Sequence, residues 1–90
     1  MKVEFYQSAL CPRCRMAAQA LAQVQAIFPN LYIETIEVTT HPFATLRAGI
    51  LLIPALKINN AILSGIFLTQ ARMQDFIAAQ MNIQSALDHD

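Results

Sequence analysis

The chain has 90 residues, 56% hydrophobic and 13% charged, with a formal net charge of zero at pH 7. That length suits one small folded domain, and the apolar content excludes a disordered chain. With Lys and Arg balanced by Asp and Glu and no basic run, electrostatically driven nucleic-acid binding is excluded too.

Lys2 to Tyr6 predicts a first strand, with Val3 and Phe5 alternating against Lys2 and Glu4. Glu4 and the polar Gln7-Ser8 deny this N-terminus a signal-peptide core, so a cytoplasmic protein is expected; a secreted form whose signal has been removed is the other reading. A first helix should begin at Cys11, with Pro12 at its first position, where a missing N–H costs nothing. Ala17, Ala20, Leu21, Val24, Ile27 and Phe28 form its apolar stripe, and Pro29-Asn30 ends it. Leu31 to Val38 predicts a second strand. Its alternation changes phase between Ile33 and Ile36, which implies a bulge or burial on both faces. Thr40 is the expected N-cap of a short helix over about 41–48, with Gly49 as its stop.

A third strand is expected at Ala55 to Ile58, a two-residue turn at Asn59-Asn60, and a fourth strand at Ala61 to Ser64. Thr69 should cap a last helix that buries Met73, Phe76, Ile77 and Met81. Residues 1–84 then form the domain and 85–90 a polar tail. The apolar run Ala48 to Leu56 is short and interrupted by Pro54, so no membrane span is expected. The order is β-α-β-α-β-β-α, an α/β fold with a four-stranded mixed sheet and helices on both faces.

The chemistry centres on Cys11-Pro12-Arg13-Cys14, which holds both cysteines of the chain. Two thiols at this spacing close and reopen a small disulfide. At a helix start, unpaired N–H groups and the helix dipole favour the thiolate, the reactive form. Cys11 is therefore the expected nucleophile and Cys14, one turn further in, the resolving thiol. Arg13 and Arg15 either favour the thiolate or are solvated charges; the second reading is preferred for Arg15 and neither for Arg13. A C-x-x-C also binds Zn²⁺ or Cu(I), but structural zinc wants four ligands and only His41 and His89 remain. No metal is expected, although a two-thiolate Cu(I) site or a cluster shared by a dimer stays open.

This element order, the C-x-x-C after strand one and the Ile-Pro before strand three together resemble the thioredoxin/glutaredoxin superfamily. Within it, the chain most resembles the small proteins called redox-active disulfide protein 2. Shared with those proteins are Cys-Pro-x-Cys and the later Ile53-Pro54-Ala55-Leu56-Lys57-Ile58 followed by Ser64-Gly65. The resemblance covers nearly the whole chain and implies a thioredoxin-like fold. It also implies a cis Ile53–Pro54 bond facing the cysteines, with the Ile53 backbone free to pair with an extended substrate. The chain departs from common thioredoxins in having no Trp and in placing Phe5 where they bury an Asp. Ser64 to Thr69 holds no acid, so glutathione binding by the contacts usual in glutaredoxins is not expected.

Substrate contacts are expected at Pro12, Arg13, Ile53, Pro54, Gly65 and Tyr6, with Ala9 and Leu10 bordering the sulfur. Tyr6 has a second reading of equal weight, a core aromatic whose hydroxyl reaches the surface. The expected function is thiol-disulfide oxidoreductase, acting on disulfide-containing proteins or small disulfides without a bound cofactor. It would be regenerated by a separate reductant and would work as a monomer without nucleic acid or membrane. The alternatives are a soft-metal-binding module using the two thiolates, and an interaction module using Ile66-Phe67-Leu68.

Overall fold

The computed structural model describes residues 1–88. The elements are β1 (Lys2–Gln7), α1 (Pro12–Ile27), β2 (Tyr32–Glu37), α2 (Pro42–Arg47), β3 (Ala55–Ile58), β4 (Ala61–Ser64) and α3 (Gln70–Asp88). The strands form one mixed sheet in the order β2-β1-β3-β4. β1 and β2 are parallel, while β3 runs antiparallel to both β1 and β4. This is the element order expected from the sequence. α3 runs to Asp88, four positions past the domain end placed at 84 on the sequence. The rest of the polar tail, including His89, lies outside the described residues.

The side-chain alternation of the central strands sorts the apolar residues onto two faces. Val3 and Phe5 of β1, with Leu56 and Ile58 of β3, point to one face. There they meet Ala17, Leu21 and Val24 of α1 and Met73 and Ile77 of α3. Each fully buried side chain of this size contributes roughly 1.5–3 kcal/mol. A second, smaller cluster of Tyr6, Ile50 and Ala55 lies on the opposite face, beneath Ala48 and Ile53 of the segment linking α2 to β3. Lys57 anchors that segment by donating to the Ala48 carbonyl (3.1 Å).

The phase change in β2 is resolved by burial on both faces. Its pairing with β1 is one-to-one from Lys2↔Tyr32 to Gln7↔Glu37, so no bulge interrupts it. Ile33 packs on the main core and Ile36 on the second cluster.

Two local expectations are corrected. Thr40 does not cap α2: its hydroxyl donates back to the Glu37 carbonyl (3.1 Å), and His41 is the cap residue, without a side-chain cap bond. A Thr hydroxyl facing a carbonyl three residues behind takes that local partner instead. Ile27 leaves the apolar stripe of α1 and is 47% exposed. Other expected signals are in place. Gly49 takes φ +83° after α2, Asn59 takes φ +54° in the hairpin, and Thr69 Oγ1 accepts from the Arg72 N–H (3.2 Å) at the start of α3.

Candidate active site

The topology gathers the candidate residues at one end of the sheet. Parallel β1 and β2 both finish there, at Gln7 and Glu37, and α1 starts beside them. β3 runs the other way, so its entry, Ile53-Pro54, reaches the same end, where Tyr6 pairs with Ala55. Ala55 pairs in turn with Ser64, which places Gly65 there as well.

Cys11 is the N-cap of α1. Its backbone is extended (φ −102°, ψ 110°), and its sulfur accepts the Cys14 N–H at 3.3 Å. Its carbonyl accepts the N–H groups of Cys14 (3.1 Å) and Arg15 (3.3 Å), and its own N–H donates to the Ser8 carbonyl (3.1 Å). A sulfur thus fills the place a Ser or Asp oxygen takes in most caps. The Cys11 thiol titrates below the ordinary range for a thiol. The largest cause is a hydrogen bond from the Cys14 side chain, and the Cys14 N–H and the Arg13 charge act in the same direction.

Cys14 lies one turn further along and is fully buried. Burial first, then the hydrogen bond to Cys11, pushes its thiol up to about 11. The pair is therefore split into one thiol that ionises readily and one that stays protonated. Both are reduced in this structure.

The first turn of α1 carries Arg13 and Arg15 and no acid. Cations at a helix N-terminus oppose the dipole by about 0.3–1 kcal/mol each. A thiolate at the cap is the anion that compensates for them, so the local rule is broken where the chemistry is. Arg13 lines the groove and its charge helps lower the Cys11 thiol, while its side chain, like that of Arg15, is exposed.

The cysteine mouth opens on a groove of about 460 Å³ lined by Ser8, Leu10, Cys11, Pro12, Arg13 and Ile53. The Ile53–Pro54 bond is cis. Pro54 is fully buried, and its carbonyl accepts the Gly65 N–H at 3.4 Å. Neither Pro54 nor Gly65 lines this groove; a methyl group on Gly65 would lie 3.1 Å from the Arg72 guanidinium, which donates to the Phe67 carbonyl. On the far side of Arg13 a smaller groove of about 160 Å³ runs between Met16 and Ile66-Phe67-Leu68. Ile66 and Phe67 are exposed there, whereas Leu68 turns into the main core. Another groove, of about 370 Å³ between α1 and β2, is lined by residues such as Ala18, Gln25 and Thr35 and holds neither cysteine.

Tyr6 is not part of this groove. It is 3% exposed in the second cluster, and its hydroxyl donates to Glu4. Position 6 of β1 points to the α2–β3 side, so the core reading holds and the substrate-contact reading does not. Ala9 is exposed and tied to Glu37 rather than lining the groove. His41 faces the Glu37 carbonyl and Thr40 at the surface. Among the described residues, no three His, Cys, Asp or Glu side chains converge as metal ligands would. Nor is any helix there long and apolar enough to cross a membrane.

Two site residues carry no motif. Ser8 lines the groove, accepts from the Leu10 N–H through its hydroxyl (3.3 Å) and from Cys11 through its carbonyl. Glu37 accepts from the loop before Cys11. The available signal for Glu37 was the parallel pairing of the first two strands, which puts the end of β2 beside that loop.

No protein-family model and no curated protein matches the chain. Solved structures do. Thioredoxin 1 of Thermosipho africanus is 17% identical at a TM-score of 0.76, over 94% of this chain and 99% of that one. Desulfothioredoxin of Desulfovibrio vulgaris Hildenborough, in its reduced form, is 21% identical at 0.73, over 87% and 79%. Mitochondrial thioredoxin 3 of Saccharomyces cerevisiae, in its oxidized form, is 14% identical at 0.73, over 87% and 76%. With the observed element order and sheet topology, these likenesses give the chain a thioredoxin-like fold, with a C-x-x-C pair at the start of its first helix.

Proposed function

We propose that the protein is a thiol-disulfide oxidoreductase in which Cys11 attacks and Cys14 resolves. The observation that carries this reading is the Cys11 sulfur accepting the Cys14 N–H at the start of α1, with the protonated Cys14 thiol fully buried beside it. The Cys11 thiolate attacks one sulfur of a substrate disulfide. The S–S bond breaks, its distal sulfur leaves as a thiolate that takes a proton from water, and a Cys11–substrate disulfide remains. Cys14 then gives up its proton and attacks the Cys11 sulfur. The second substrate sulfur leaves with a proton, and Cys11–Cys14 closes as a disulfide. Two electrons have passed to the substrate, and a separate two-electron reductant must return them.

Pro12, Arg13 and Ile53 wall the groove that receives the substrate. β3 begins only at Ala55, which leaves the Ile53 backbone to pair with an extended substrate segment, as in small-scale strand addition. Pro54 follows Ile53 and is tied to Gly65 through its carbonyl. A disulfide-containing protein suits an open groove of this kind.

Within the superfamily we place the chain with redox-active disulfide protein 2. The support is Cys-Pro-x-Cys together with Ile53-Pro54-Ala55-Leu56-Lys57-Ile58 and Ser64-Gly65. We further infer a reducing compartment such as the cytoplasm, on the role of lone C-x-x-C pairs there.

Equilibration across dithiol/disulfide buffers, with free thiols counted at each potential, tests the function. One two-electron transition between roughly −270 and −120 mV is expected. Cys14→Ser should accumulate substrate on Cys11, and Cys11→Ser should abolish exchange. Disulfide reduction retained by Cys11→Ser would overturn the assignment. Stoichiometric Cu(I) or Zn²⁺ held against glutathione, without a reversible Cys11–Cys14 disulfide, would establish the metal-binding module instead.

A further inference from the structure

The loop from Ser8 to Cys11 presents the nucleophile, yet most of its hydrogen bonds are internal. Cys11 N–H donates to the Ser8 carbonyl and Leu10 N–H to the Ser8 hydroxyl. The Cys11 carbonyl and sulfur hold one end of it on α1; among the described residues, the bond that ties it to β2 is Ala9 N–H to Glu37 Oε2, at 3.0 Å. The same oxygen accepts from Gln7 Nε2 (3.1 Å), and Oε1 accepts from Thr39 Oγ1 (2.8 Å). Three donors from both sides of the strand ends therefore converge on one half-buried carboxylate. Hydrogen bonds to an ionised acceptor are about twice as strong as neutral ones; here the Gln7 bond is half-buried, and the Ala9 and Thr39 bonds are open to solvent.

We propose that Glu37 is the positioning residue of the site, holding the Ser8–Leu10 loop so that the Cys11 sulfur stays on the Cys14 N–H at the start of α1. The proposal rests on the reading of Cys11 as nucleophile. β1 and β2 end in register at Gln7↔Glu37, so a side chain on β2 reaches the loop that leaves β1. The backbone of Glu37 continues the clamp on the other side: its carbonyl accepts the Thr40 N–H (3.2 Å) and the Thr40 hydroxyl (3.1 Å). One residue thus fixes the loop into α1 and the turn into α2. The charge acting directly on Cys11 comes from Arg13, and Glu37 works through the backbone of the loop.

A positional role and a charge role predict opposite results. Removing a nearby negative charge would increase the thiolate population of Cys11, whereas releasing the loop decreases it. The experiment follows Cys11 alkylation by iodoacetamide against pH in the unsubstituted protein, Glu37→Ala and Glu37→Gln. For Glu37→Ala, the midpoint of the profile should move to higher pH, with about threefold less thiolate at neutral pH, equivalent to about half of the tenfold step that one pKa unit represents on a logarithmic scale. Glu37→Gln keeps an oxygen acceptor for Ala9 N–H and should restore most of the thiolate. Equal profiles in all three proteins, or more thiolate in both variants, would overturn the proposal.

Amide hydrogen exchange of Ala9 in the unsubstituted protein gives a test that needs no variant. Protection is expected, and exchange at the rate of a free amide would overturn the clamp even if Glu37→Ala fails to fold. Absence of a readily ionised Cys11 in the unsubstituted protein would remove the nucleophile reading itself, and with it the proposal, whatever Ala9 shows.

Discussion

Replacing Cys14 by Ala tests what makes Cys11 reactive. The hydrogen bond from the Cys14 side chain is the largest influence holding the Cys11 thiol below its ordinary range. Hydrogen bonds to charged groups contribute about 1.5–3 kcal/mol, but S–H is a weak donor and Cys11 is partly solvated, so about 1 kcal/mol is the fitting magnitude. Since 1.36 kcal/mol is tenfold, the thiolate population should fall about fivefold where it is the minor form. The alkylation rate should fall less, by about two- to threefold, because a thiol of higher pKa is the better nucleophile, with a Brønsted slope of about 0.4–0.5. Thiolate absorbance in the ultraviolet, titrated against pH, reads the population directly and is the assay of choice. Cys14→Ser retains a donor at the same position and should stay close to the unsubstituted protein. The Ala variant should remain folded, since deleting one buried heavy atom costs about 1 kcal/mol. A titration curve unmoved in Cys14→Ala would refute the reasoning and leave the helix terminus and Arg13 as the sources of the effect.

The split between the two thiols predicts selective labelling. Alkylation of native protein should modify Cys11 with a rate that climbs as pH rises through a midpoint below the usual thiol range, while Cys14 stays unmodified until pH nears about 11. Peptide mapping that finds equal labelling at neutral pH would contradict the assignment of roles. Leu56→Ala removes a fully buried side chain from the main core and should cost about 2–5 kcal/mol in denaturant unfolding; a loss under about 1 kcal/mol would show that the site collapses around it. Gly49→Ala places a Cβ at φ +83° in ordinary contact with Ile62, so backbone strain of about 1–2 kcal/mol should lower the melting temperature. An unchanged melting temperature would mean that the chain rearranges there.

The sequence by itself determined the element order, because that information is local. Pro12 marks the start of α1, and Thr69 the start of α3. Gly49 and Asn59 supply the left-handed backbone that the end of α2 and the hairpin require. The motif Cys11-Pro12-Arg13-Cys14 announced the site for the same reason, since its chemistry lies within one helical turn.

Tertiary structure alone decided which residues surround the motif. Whether Tyr6 faced the thiols or the core depended on which side of β1 met the segment from Ala48 to Ile53, and no local pattern specifies that. Thr40 looked like a cap in sequence, but its hydroxyl met the Glu37 carbonyl once the turn had closed. Glu37 bears no motif. It lies 26 positions from Cys11 in the chain and reaches its loop only because β1 and β2 end in register. The split of the two thiols has the same origin: both begin as identical cysteines, and packing exposes one at the helix mouth and seals the other beneath it.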